Sequence, residues 1–168
     1  MRRIGYTVLW TLTVFTLLAL AWGLAVLYVQ SAAARDVAAL KRSLHYAPNP
    51  NGLLCPVYDE TTFNRIRDLH GCRALPSLVA ELDPAADHYY NHTISNLIRI
   101  AVAPAFRRDP EGPWTKAWHD LDDLWYEQAV APNERTKKVE RLRAWWRVEG
   151  HKFHQPWRFW SAKCGTDF

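Results

Sequence analysis

The sequence predicts a mainly α-helical protein, with one N-terminal transmembrane helix followed by a small extracytoplasmic domain of about five helices. Three observations predict it. Residues 4–34 carry no charge and are mostly apolar, enough to cross about 30 Å of hydrocarbon at about 1.5 Å per residue. Beyond them apolar residues recur three and four positions apart in successive segments, which is the period of a helix packed on one face. No two alternating segments flank a hairpin turn, and no internal repeat occurs. At 168 residues there is room for one span and one domain, since a single core is comfortable at roughly 100–150 residues.

The expected organisation is a short cytoplasmic N-terminus at 1–4, a transmembrane helix at 5–30, a juxtamembrane helical stalk at 31–46 and the helical domain at 47–168. Within the span Thr7, Thr11, Thr13 and Thr16 can bond to carbonyls of their own helix, so hydrocarbon tolerates them. Trp10 and Tyr28 lie near its two ends, where amphipathic rings favour the headgroup level, and Trp22 lies deeper, able to face a partner helix. Arg2, Arg3 and the alanines 32–34 imitate a signal peptide. However, such a peptide has an apolar region of about 7–15 residues, so an uncleaved anchor is expected. Basic residues flank the span on both sides, and a first anchor behind a positive start places the body outside the cytoplasm. The expected location is the bacterial inner membrane with the C-terminal domain in the periplasm.

The stalk keeps its helical face through Val37, Leu40 and Leu44 until the APNPNG turn at 47–52 stops it. In YDETTFNRIRDLHG, Asp59 is placed to cap a helix, Phe63, Ile66 and Leu69 or His70 share one side, and Gly71 suits its end. Pro76 sits in the first turn of a second short helix with Leu78, Val79 and Leu82 as contacts. Asp83 and Pro84 open a longer helix with Tyr90, Ile94, Leu97, Ile98 and Ala101 on one face, expected to end at Pro104, with a strand as the alternative for its β-branched second half. Trp114, Trp118, Leu121 and Trp125 share the face of a further helix. In the last one Val139, Leu142 and either Trp145 or Trp146 point inward, and Gly150 is expected to end it.

Charge is uneven. The segment 135–163 holds nine basic and two acidic residues, a balance of +7, whereas residues 1–134 stand at −2. Tryptophan interleaved with arginine can grip nucleic acid, but outside the cytoplasm that partner is not expected. The same residue types are enriched at protein interfaces and near anionic headgroups. The candidate interface residues are therefore Trp10, Trp22, Trp145, Trp146, Trp157, Arg158, Phe159 and Trp160, and the expected partners are other membrane protein subunits, the lipid bilayer and anionic lipid headgroups.

Catalytic signals are sparse. His88 and His92 are spaced as a metal pair on one helix face but lack a third ligand nearby, and the second position of an HExxH pattern is Tyr89. His151 and His154 are three apart and could complete such a set only if the fold brings them over. His119 with Asp120, Asp122 and Asp123 reads as a solvated helix face. Cys55 and Cys72 are separated suitably for a disulfide, with Cys164 left over or paired with one of them. Asn91, His92 and Thr93 match a glycosylation sequon. No phosphate loop, dinucleotide fingerprint or haem-attachment sequence occurs, so no cofactor and no catalytic residue is expected. The expected function is a non-enzymatic accessory or structural subunit of a membrane complex. A membrane-tethered cell-envelope binding or His88/His92 metal-dependent module, or a regulator or inhibitor of a membrane-associated partner, is the alternative.

Overall fold

No proline interrupts the chain before Pro48, and the backbone responds accordingly: helix α1 runs unbroken over Arg2–Ser43. The computed structural model describes residues 2–52, 54–86, 88–108 and 131–153, of which 82% are helical. One α1 segment is long and apolar enough to cross a membrane, and none of that apolar stretch is buried against the rest of the protein. Thr13 and Thr16 donate their hydroxyls to the Leu9 and Leu12 carbonyls at 2.9 and 2.8 Å, as the sequence predicts. Farther along, Ala33, Val37 and Leu40 are buried, so the same helix becomes part of the core of the body.

Helix α1 gives way to a feature that periodicity did not predict. Strands β1 (His45–Pro48) and β2 (Leu54–Val57) form an antiparallel hairpin, with His45 opposite Val57 and Ala47 opposite Cys55. Four-residue strands are too short to show alternation, and Pro48 and Pro56 argue against strands when read alone. The loop between them follows local chemistry. Asn49 accepts the Asn51 amide on its side chain at 2.9 Å and the Gly52 amide on its carbonyl at 2.8 Å, and Gly52 takes φ 77°, a value open to glycine.

Asp59 then caps helix α2 (Glu60–Asn64), accepting the Thr61 and Thr62 amides at 3.2 and 3.1 Å. Here the helix widens into a π-helical turn, Arg65–His70, and tightens into a 3-10 turn, Gly71–Ala74. The wide turn settles which residue faces inward, because Ile66 and His70 are buried while Leu69 is 55% exposed. Helix α3 (Leu75–Glu81) has Pro76 in its first turn and buries Leu75, Leu78 and Val79, with Leu82 buried just beyond.

Asp83 and Pro84 make a turn rather than the first turn of the next helix: the Asp83 side chain takes the Ala85 amide at 2.9 Å and its carbonyl takes the Ala86 amide at 3.0 Å. Helix α4 therefore spans His88–Arg108, starting later than predicted and running past Pro104. Proline removes one hydrogen bond from a long helix. The buried face formed by Ile94, Leu97, Ile98, Ala101 and Val102 holds the helix upstream of it. Helix α5 (Pro132–Phe153) buries Val139, Leu142 and Trp145. Gly150 does not end α5. It is a buried interior position where a Cβ would come within 2.6 Å of the Trp146 ring. The predicted helix carrying Trp114, Trp118, Leu121 and Trp125 lies outside the described residues, as do His119, Asp120, Asp122 and Asp123.

The core unites α1, the Arg65–Ala74 turns, α3, α4 and α5. Arg143 of α5 donates to the Leu82 carbonyl at the end of α3, and Asn91 of α4 grips the Asp83 backbone twice, accepting its amide at 3.0 Å and donating to its carbonyl at 2.7 Å. These contacts satisfy backbone groups that a helix terminus leaves unpaired.

Candidate functional site

Two places bring polar side chains together where α1 leaves its apolar stretch and meets the body. The first is a set of ion pairs around Asp36. This residue shares a helix face with Ala33, Val37 and Leu40, so it is carried into the α1–body junction with the apolar residues. There Arg65 grips it bidentately, with Nε 3.1 Å from Oδ2 and Nη2 2.9 Å from Oδ1. His70 brings Nε2 to 2.8 Å from Asp36 Oδ2, an arrangement that puts the ring proton on Nε2. Lower on the stalk Lys41 pairs with Glu81 of α3 at 2.5 Å, and Tyr90 of α4 donates to the same carboxylate at 2.9 Å. Burial first, and then the Glu81 carboxylate, push the Tyr90 phenol above its ordinary value.

An Asp–His pair invites comparison with a catalytic dyad, but the geometry opposes that use. His70 is 5% exposed, and its Nδ1 is buried with no hydrogen-bond partner, out of reach of a substrate. The pair instead joins the stalk to the π-helical turn. Sequence reasoning missed Asp36 and Arg65, although an acid on the apolar face of a stalk was the available signal. The partners lie 29 and 34 residues away, which spacing alone does not reveal.

The second place is an open groove of about 610 Å³ between α1 and the body. Leu27, Gln30, Ser31 and Ala34 form one wall, on a single helical face. Across from them stand Arg73 of the 3-10 turn, Pro76 and Ser77 of α3, and Trp146 of α5. Arg73 is half-buried, and among the described residues its Nη1 reaches only the Leu69 carbonyl at 3.4 Å and its buried Nε has no partner. Burial draws this guanidinium below its ordinary value, and among the described residues no carboxylate pairs with it.

The sequence-predicted sites are distributed differently. Trp10 and Trp22 are exposed at 71% and 43% on the apolar stretch of α1. Trp145 is only 6% exposed, 5.6 Å from the Phe153 ring, so it completes the core and is not a docking residue. Trp146 is half-buried on the groove. Trp157, Arg158, Phe159 and Trp160 lie outside the described residues, as does His154. His88 is the first residue of α4 and His92 is half-buried one turn on. Among the described residues, no three of His, Cys, Asp and Glu gather as metal ligands.

One further expectation is corrected, and one sequence match is closed off. Cys55 is a free thiol and Cys72 is disulfide-bonded, so they are not joined to each other. The hairpin holds Cys55 opposite Ala47, whereas Cys72 is buried in the 3-10 turn with its sulfur 3.7 Å from the Ala101 carbonyl, a packing contact since a disulfide sulfur has no proton to donate. Asn91 cannot serve as a glycosylation acceptor in the folded chain: it is 1% exposed, and both ends of its amide are bound to the Asp83 backbone.

No family model, no curated protein and no solved structure matches the chain.

Proposed function

We propose that this chain is a single-pass membrane protein, an accessory or structural subunit of a larger membrane complex whose α1 packs on partner helices or lipid while its body docks outside the cytoplasm. One observation carries it. The apolar stretch of α1 exposes Leu9, Phe15, Leu18 and Leu24 at 61–67% and is not covered by its own body. An aqueous protein would bury such a stripe. The disulfide at Cys72 supports an oxidising compartment for the body, in keeping with an N-terminus in the cytoplasm and a periplasmic domain behind a bacterial inner membrane. The stalk supports a docking role, because ion pairs to Asp36 and Glu81 fix the body against α1 and give any bound neighbour a rigid target. The proposal includes a fifth helix for the body, drawn from the sequence periodicity of Trp114, Trp118, Leu121 and Trp125 alone.

The test is extraction of the full-length chain from its native membrane in mild detergent, followed by native mass spectrometry. Co-migration with one or more membrane proteins in fixed ratio is the expected outcome. Migration of the chain alone at every detergent strength would reject the subunit role.

A further inference from the structure

Arg73 stands out among the arginines of the first half of the body. Arg65 is held by Asp36 and Arg67 by Asp68, while Arg73 faces the groove with no carboxylate among the described residues. Two neutral donors on the groove are also uncommitted: among the described residues neither the Ser77 hydroxyl nor the Gln30 amide has a hydrogen bond, whereas the Ser31 hydroxyl is occupied with the Tyr28 carbonyl at 2.8 Å. A half-buried cation beside unbonded neutral donors is electrostatically incomplete. An anion with several acceptor oxygens would complete it.

The position of the groove indicates which anion. Its α1 wall begins at Leu27, beside the interfacial Tyr28, and ends at Ala34, next to Arg35, the first charge after the apolar run. Leu27 to Ala34 rises about 10 Å, enough to pass through a headgroup layer of about 5–7 Å above the hydrocarbon. Below it, Leu20, Leu24 and Leu27 are 60–67% exposed and fall on the same face as Ser31 and Ala34, so the groove opens at the top of an apolar stripe. A ligand with a phosphate above and an acyl chain below matches both parts. We propose that the groove binds an anionic glycerophospholipid, with Arg73 recognising its phosphate, Ser77 and Gln30 donating to the phosphate or glycerol oxygens, and one acyl chain lying along Leu27, Leu24 and Leu20. This rests on α1 spanning the bilayer. Recognition of one bound lipid differs from general attraction of a basic tail to a charged surface, because a single half-buried arginine carries it.

The full-length chain is reconstituted in nanodiscs of phosphatidylcholine mixed with phosphatidylglycerol, released, and weighed by native mass spectrometry. One phosphatidylglycerol should stay bound, and Arg73→Gln should lower its retention about tenfold, the scale expected for one charge-assisted contact. Ser77→Leu, which fills the groove and leaves the cation in place, should lower retention as well. Arg67→Gln, at an arginine already paired with Asp68, should not. Equal retention by wild type and both groove variants overturns the inference, as does binding of inorganic phosphate in detergent with the same dependence on Arg73, which would make the ligand a free anion. If Arg73 governs capture of a protein carboxylate instead, the retained mass is a polypeptide and the lipid assignment is wrong. Carbonate washing of the membranes separates the two levels. A chain that washes off was never spanning, whereas one that stays embedded yet keeps no lipid leaves the anchor intact and removes this site alone.

Discussion

Residues 8–28 and residues 33–43 belong to one continuous helix, yet their side chains are exposed in opposite ways. In the first stretch large apolar side chains are exposed around the whole circumference, with Leu18 at 61% and Trp10 at 71%. In the second, apolar exposure ends, and Ala33, Val37 and Leu40 are buried on one face alongside Asp36. Nothing in the backbone marks the change. Side-chain pattern alone decides it, because an all-round apolar helix needs lipid or partner helices, whereas a one-sided helix needs only a core.

Truncation tests that contrast most strongly. Leu40→Ala should destabilise the body by about 2–5 kcal/mol, the usual range for a buried leucine that leaves a cavity. Leu18→Ala should leave unfolding of the body unchanged. Denaturant unfolding of both variants in one detergent, followed by tryptophan fluorescence, provides the comparison, and equal effects would dissolve the distinction between the two stretches.

Loss of the disulfide should come next. Cys72→Ser is expected to cost about 2–4 kcal/mol, typical for a bridge that closes a long loop. Non-reducing peptide mapping should find Cys55 open to alkylation and Cys72 in a cross-linked peptide. A Cys55–Cys72 peptide would contradict the arrangement.

Asp36→Asn reaches the junction between the two stretches. It weakens the bidentate Arg65 contact and removes the charge facing His70. The side chain is partly exposed, so a loss of about 1–3 kcal/mol is expected and not the full effect of a buried pair. Hydrogen exchange should quicken in Arg65–His70 before it does in α4. Uniform quickening would mean that the pairs do not act locally.

The smallest effect concerns the Asp59 cap, far from the span. Hydrogen bonds from the Thr62 hydroxyl, and then from the Thr62 and Thr61 amides, hold the Asp59 carboxyl below its ordinary value of about 3.9. A depressed folded value means that stability is present above the unfolded value and is lost as pH falls through the folded one. Amide protection at Thr61 and Thr62 should therefore decline below about pH 4, and Asp59→Ala should abolish that pH dependence.

These regions also differ in how readily the sequence disclosed them. Periodicity found Leu78, Val79 and Leu82, then Ile94, Leu97 and Ile98, and then Val139 and Leu142, because a buried helix face repeats and can be counted. The Asp59 cap was legible for a related reason: its bonds reach only two and three residues away. Punctuation was less reliable, since Pro104 and Gly150 both resemble helix ends and lie inside helices whose packed faces outweigh one local preference. The hairpin escaped notice because two four-residue strands take their order from pairing with each other. The groove escaped because Arg73, Ser77 and Trp146 converge on α1 from three elements, so no window of sequence contains them together.

The continuity of α1 has a mechanical consequence. Its 42 residues make a rod about 63 Å long, and its C-terminal end is clamped by the core, by Asp36 and by Lys41 with no hinge between the body and the apolar stretch. Transmembrane helices tilt to match the thickness of the hydrocarbon around them. With α1 in a bilayer as proposed, a rod without a joint passes that tilt to the body, so a change in membrane thickness leans the body over by the same angle. Anchored as proposed, the protein has the geometry of a lever whose setting is the thickness of that bilayer.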